Sequence, residues 1–355
     1  MTGWKACPTY ERFIVKKISF AAFIIALAFA LVLPVEGFAQ RSRKAAQTPV
    51  NPASGLLSSL PPSDAVALIN VNRLLDEAMP KLMAENPARL AEVNNELANF
   101  KTQTGLDPRS FDQVALGFRY LYPAEGITKI STVALARGTF NAGAIVAAGR
   151  LAANGKYVEQ KYLGKTIYIF TLDRQLKLLG LWDIKVGDLA VTSVGANMIA
   201  LGELDAVRGV IDANRSRKYA NPELITLASR DPNAIIGFGG NLTEKLLQNL
   251  RVTNDGVARQ ITAVRQVYGT LGMTTTDLEL MMAARTVDTD SARNLSDTVE
   301  GLKQFGAIFI NRLSAVKGTL ARSALNNLKI TTQGNELQLR TAVAQSQVTP
   351  LIRGY

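Results

Sequence analysis

Three cations stand close together at Arg215, Arg217 and Lys218, with Tyr219 directly after them. Guanidinium and ammonium groups with no acid between them attract phosphate, sulfate or carboxylate, and a neighbouring phenol adds a donor and a ring face. The chemistry on offer is anion binding, and these four residues form the candidate anionic-ligand patch. Other stretches imitate catalytic motifs and fail on spacing. Ser314 to Lys317 reads S-x-x-K, a nucleophile pair that needs no histidine, but no "KTG" exists and "SDT" at 296–298 precedes it. "LGKT" at 163–166 ends like a phosphate loop, yet its first glycine would fall on Glu159, and "IYIF" after it is strand-like, so a hairpin turn is expected. "GFGGN" at 237–241 lacks the dinucleotide spacing, and its glycines instead let a strand end approach the next helix.

The carboxylates are no more committal. Asp76 and Glu77 are adjacent, and adjacent helical residues do not face each other. Glu203 and Asp205 open a helix, where the dipole favours acids, and Asp288 to Asp290 lacks the longer oxygen-ligand run of a calcium loop. The chain has no histidine, and its one cysteine is Cys7. Without them a zinc site of the usual kind, a histidine triad, a cysteine nucleophile and a disulfide are unavailable to the mature protein. No cofactor or metal is expected. A hydrolase built on carboxylates alone, such as a glycosidase, remains the alternative, but the sugar-stacking tryptophans are few: Trp4 and Trp182.

Towards the N-terminus, Lys16 and Lys17 precede "ISFAAFIIALAFALVLP", an uncharged apolar run, and Gly37 and Ala39 then occupy the small-residue positions of a cleavage site. Residues 1–39 are expected to be a signal peptide, with an uncleaved inner-membrane tether as the alternative. Their removal takes four basic and two acidic residues from a net charge of +11 and leaves +9. An exported, moderately basic protein, periplasmic or extracellular, meets anionic envelope material rather than nucleic acid. The partner is therefore expected to be an anionic lipid, a polymer or a protein of the envelope, with no transmembrane segment after cleavage.

Residues 40–60 mix basic residues with Pro, Ser and Gly and read as a flexible linker. From there the pattern predicts an α+β fold. "DAVALINVN" is a strand and Asn72 caps the helix after it. Pro80 kinks that helix, and Asn86-Pro87 opens a second one carrying Leu90, Val93, Leu97 and Phe100 on one face. Helices are also expected over 141–155 and 203–214, and a hairpin turning at Gly334-Asn335. "GLDPRSFDQVALGFR" at 105–119 is echoed by "GMTTTDLELMMAAR" at 272–285, and "DAVALINVNRLL" at 64–75 by "NAIIGFGGNLTEKLL" at 233–247. The echo predicts two related strand-helix-strand repeats in mixed or antiparallel sheets covered by helices, over residues 61–230 and 231–355. In this scheme Gly105 and Gly272 end equivalent helices, the second with Ile261, Val264, Val267, Tyr268 and Leu271 on its apolar face.

Leu60-Pro61, Thr104 to Pro108, Arg137 to Phe140, Tyr162 to Tyr168 and Ala200 to Asp212 follow one another in an order that resembles uncharacterised secreted bacterial proteins of the DUF3352-like, acidobacterial kind. These are structural phrases spanning most of 60–240. The resemblance implies export and a shared scaffold and carries no agreed activity. The expected function is that of an exported envelope protein acting as a non-enzymatic binding or structural scaffold.

Overall fold

The computed structural model describes residues 52–104, 107–153, 155–171, 175–178, 182–185, 188–249, 255–310 and 315–352. In chain order, α1 (Pro52–Leu57) and β1 (Ala65–Asn70) lead into a π-helical turn (Arg73–Ala78), α2 (Met79–Leu82) and α3 (Pro87–Thr104). Next come β2 (Phe111–Ala124), β3 (Ile127–Gly138), α4 (Ala142–Ala152), β4 (Tyr157–Tyr162), β5 (Lys165–Thr171), β6 (Gln175–Leu178), β7 (Trp182–Lys185), β8 (Asp188–Gly195) and β9 (Met198–Gly202). After α5 (Leu204–Ser216) and α6 (Pro222–Ala228) follow β10 (Ile236–Asn241), α7 (Glu244–Asn249), α8 (Asp255–Thr262), β11 (Val264–Met273) and β12 (Asp277–Thr286). The chain closes with α9 (Thr289–Ile310), α10 (Ala315–Asn326), β13 (Lys329–Gln333), β14 (Glu336–Ala344) and α11 (Gln345–Ile352).

Twelve strands form one sheet in the order β13-β14-β12-β11-β10-β1-β2-β3-β9-β8-β5-β4, and β6 and β7 make a separate ribbon. Every neighbouring pair is antiparallel. The protein is thus α+β, with a large antiparallel sheet covered by helices. The chain starts at the middle of the sheet, builds outwards one way through β4, then returns to lay β10 beside β1, with Ala65 opposite Gly240 and Ile69 opposite Ile236. From β10 it builds outwards the other way.

Both sheet faces are covered, as the opposite destinations of adjacent residues show. On one face, α1, α5 and α6 bring Leu57, Val207, Val210 and Leu224 against Val66, Leu135 and Tyr268. On the other, next to Leu135, Ala136 packs with Ala142 and Ile199. Next to Tyr268, Val267 joins Leu295, Val299, Leu320 and Leu337 under α9 and α10. Leu75, Met79, Met83 and Val93 form a satellite cluster between the π-helical turn, α2 and α3.

Local signals place several elements as expected. Pro80 sits in the first turn of α2, where the π-helical turn ends, and Asn86 accepts a bond from Arg89 N at 3.2 Å at the start of α3. Asp107 accepts from Arg109 N at 2.9 Å before the 3-10 turn, and the β4–β5 and β13–β14 hairpins turn at Leu163-Gly164 and Gly334-Asn335. Leu163 (φ 46°) and Gly164 (φ 79°) both have the positive φ of a tight hairpin turn, which settles "LGKT" as a turn.

Four expectations are corrected. The flexible linker over 40–60 gives way at Pro52 to α1, and Leu56, Leu57 and Leu60 are fully buried. Six residues containing Pro, Ser and Gly carry too little periodicity to announce a helix, and tertiary burial supplies the stability instead. Asn70, not Asn72, caps the turn after β1, accepting from Arg73 N at 3.1 Å. The helix expected through Gly272 is strand β11; the helix before it, α8, ends at Thr262. Val267 and Tyr268 are both apolar because the strand is buried on both faces, a pattern that imitates helical spacing. Gly272 therefore lies in a strand opposite Glu279, while Gly105 falls outside the described residues. The echoed phrases also occupy different places, for β2 neighbours β1 whereas β12 lies one strand beyond the neighbour of β10.

Candidate functional site

The predicted patch lies where α5 ends. Arg215 is in the last helical turn, where a cation favours the carbonyl end of the dipole, and Arg217 follows as the C-cap. Arg215, Arg217 and Lys218 are exposed and Tyr219 is half-buried, held by the next residue, Ala220, whose N–H donates to Leu60 O at 2.9 Å. The acid one turn before Arg215, Asp212, is engaged elsewhere: Tyr162 Oη donates to its two carboxylate oxygens, each at 3.0 Å. That bond holds the Tyr162 hydroxyl above its ordinary pKa. Arg208, further up the same helix, pairs with Asp205 at 2.9 Å. The three patch cations make no ion pair with a described residue, so their charge faces solvent.

Arg217 has a left-handed backbone, φ 55° and ψ 30°, a conformation that suits glycine after a helix. Its Cβ strains that geometry by roughly 1 kcal/mol. Arg217→Gly is therefore expected to raise stability by about 0.5–1 kcal/mol while removing one charge from the patch. A urea midpoint equal to or below that of the parent protein would show that the arginine is not strained there.

A larger polar site was not legible in the sequence. Beside α6, on the sheet face that this helix covers only in part, an open cleft of about 790 Å³ lies over the ends of β11, β12 and β14. Its wall is a network built by strand register: Gln266 is opposite Arg285, and Arg285 is opposite Glu336. Arg285 donates from Nε to Glu336 at 3.1 Å and from Nη1 to Glu223 of α6 at 2.9 Å and to Gln266 at 3.2 Å. Beneath it Tyr268 is fully buried. The guanidinium carbons of Arg230 and Arg285 lie over its ring at 5.2 and 5.5 Å, and Arg230 Nη1 donates to its hydroxyl at 2.5 Å.

The electrostatics follow from this packing. Burial, joined by the hydrogen bond to Glu336, pushes the Tyr268 phenol up to about 12, so it stays protonated. Burial alone would raise Glu336; bonds from Tyr268, Gln338 and Arg285 and the charge of Arg230 outweigh it and hold the carboxyl below its ordinary value of 4.5. A carboxyl lowered by folding adds stability above its unfolded pKa and loses it as pH falls through the folded value, so the Glu336 part of this network weakens in acid, whereas the Tyr268 part, raised by folding, weakens as pH climbs above the ordinary phenol value of 10.

The remaining sequence candidates resolve into structural roles. Asp288 accepts from Ser291 N at 2.7 Å as the cap of α9, and Glu203 is the N-cap of α5. Ser314 lies outside the described residues. The glycines of 237–241 do permit a close approach, though of the preceding helix: Gly239 would place a Cβ 2.9 Å from Leu227 of α6. Among the described residues no three metal-ligating side chains gather, and no helix is long and apolar enough to cross a membrane.

No family model matches the chain, and no curated protein matches it. Among solved structures it is similar to crystal form IV of TP0453, at 10% identity and a TM-score of 0.42, over 83% of this chain and 95% of that one. Crystal form I of TP0453 gives 9% identity and a TM-score of 0.41, over 84% and 96%. Overlap of this quality leaves the function of the chain to its own residues.

Proposed function

We propose that this is an exported cell-envelope protein that works as a non-enzymatic binding scaffold, holding an anionic lipid, polymer or protein through the patch at Arg215, Arg217, Lys218 and Tyr219. The resemblance to DUF3352-like secreted proteins belongs to the same proposal, as does cleavage of residues 1–39. The observation that carries it is the exposed cation cluster after α5, whose nearest helical acid is bound to Tyr162. Glu336 favours binding over carboxylate hydrolysis. The least exposed acid of the cleft is held ionised, whereas a glycosidase needs one carboxyl kept protonated. Internal duplication is part of the reading too, with β1-β2-β3 corresponding to β10-β11-β12 on either side of the central strand pair.

Co-sedimentation with phosphatidylglycerol vesicles, phosphatidylcholine vesicles and a polyuronate gel tests the patch. Binding to an anionic matrix is expected at low salt. It should fade toward 1 M salt, where the Debye length is about 3 Å, and drop about tenfold when Arg215, Arg217 and Lys218 are all changed to Ser. Binding that ignores both salt and the triple change would sink the proposal.

A further inference from the structure

The cleft beside α6 has cations that its own acids use only in part. Three arginines line it against two glutamates, and both glutamates are bonded to Arg285. Arg230 is left 4.0 Å from Glu336, with its close bond going to the neutral phenol of Tyr268. Arg265 sits at the register shift between Val264 and Gln266, and among the described residues its side chain donates only to Thr262 O, at 2.8 Å. It has no carboxylate within ion-pair distance among the described residues. Two guanidinium groups thus keep donors for a guest, and stacking on the buried Tyr268 ring fixes one of them in advance.

The shape and lining narrow the guest. About 790 Å³ is the size of a small-molecule site rather than of a helix groove. Among the described residues of the lining Val287 alone is apolar, so an acyl chain would find almost nothing to pack on. The side-chain amide of Gln333, on β13 at the rim, has no hydrogen bond to a described residue. Planar guanidinium forks suit carboxylate and phosphate, and a free amide suits hydroxyls.

The geometry points to a second binding site, separate from the α5 patch: the cleft takes an oxyanion carried on a small hydroxylated molecule, the chemistry shared by a uronic acid and a sugar phosphate. Arg230 and Arg265 grip the oxyanion, Gln333 meets the hydroxyls, and Arg285 with Glu223 and Glu336 forms the rigid wall.

Calorimetric titration of the full chain with glucuronate, glucose 6-phosphate, glucose and inorganic phosphate tests this, and the tighter of the two acidic sugars identifies which oxyanion the site prefers. At least one of them is expected to bind about tenfold or more tighter than both glucose and inorganic phosphate. Arg230→Gln with Arg265→Gln should abolish that binding. Arg265→Gln alone leaves the Tyr268 contacts intact and should weaken it about tenfold, with an unchanged melting curve as the check on folding. The triple change at Arg215, Arg217 and Lys218 should leave it untouched, so this site and the patch fail independently. Acidic sugars that bind no better than glucose, inorganic phosphate that binds as well as they do, or an Arg265→Gln chain that binds like the parent would each overturn the assignment.

Discussion

A chain shortened to begin at Pro61 is expected to lose at least about 4 kcal/mol of stability relative to one that begins at Pro52. The shortening removes α1 and with it Leu56, Leu57 and Leu60, which are 1%, 0% and 0% exposed and belong to the cluster that holds α5 and α6 on the sheet. Deleting one buried leucine side chain costs about 2–5 kcal/mol, and these three are neighbours, so the sum is less than three independent losses. The backbone contributes as well: Leu60 O accepts the Ala220 N–H that follows the basic patch. In thermal unfolding the shorter chain should melt at least about 10 °C lower or show no cooperative transition. Equal midpoints for the two chains would mean that the burial of this segment adds nothing.

The second large effect separates two glycines that look alike in the sequence. Gly237 of β10 lies against α6, and a Cβ there would run into the carbonyl oxygen of Ala228, with the carbonyl carbon at 3.1 Å. Backbone cannot rotate away as a side chain can, so Gly237→Ala must lift α6 from β10. That should cost about 3 kcal/mol, at the upper end for overpacking. A Cβ added to Gly272 of β11 would meet nothing within 4 Å, so Gly272→Ala should be neutral or stabilising by about 0.5 kcal/mol, since alanine restricts the unfolded chain. Urea midpoints of the two variants read the contrast. Similar midpoints would show that contact with α6 is not what glycine at 237 protects.

What the sequence revealed was local. The turn at Gly334-Asn335 and the helix over 204–216 each announce themselves within a dozen residues, through a glycine-containing turn dipeptide or a 3.6-residue apolar stripe. The patch at 215–219 was legible for the same reason, being contiguous. β11 was not, because a strand buried on both faces loses its alternation, and neither was α1, whose leucines gain their meaning only from α5 and α6. The cleft was the least legible of all. Its residues come from α6, β11, β12, β13, β14 and the turns between them, and only the tertiary fold brings Glu223 of α6 and Glu336 of β14 to the guanidinium of Arg285.

The pairing of β1 with β10 governs the order in which the molecule can be completed. Strand β1 is made well before β10, and β2 can join it early, but its other edge waits until Ile236–Asn241 has followed. Until then the first half of the sheet carries an open ladder at its very centre, and a long-range closure of this kind is slow. Throughout that delay β1 stays available to any strand of matching register. The nearest match in a crowded solution is β10 of another copy, so refolding at high concentration is expected to give some exchanged dimers, with the hinge between α6 and β10.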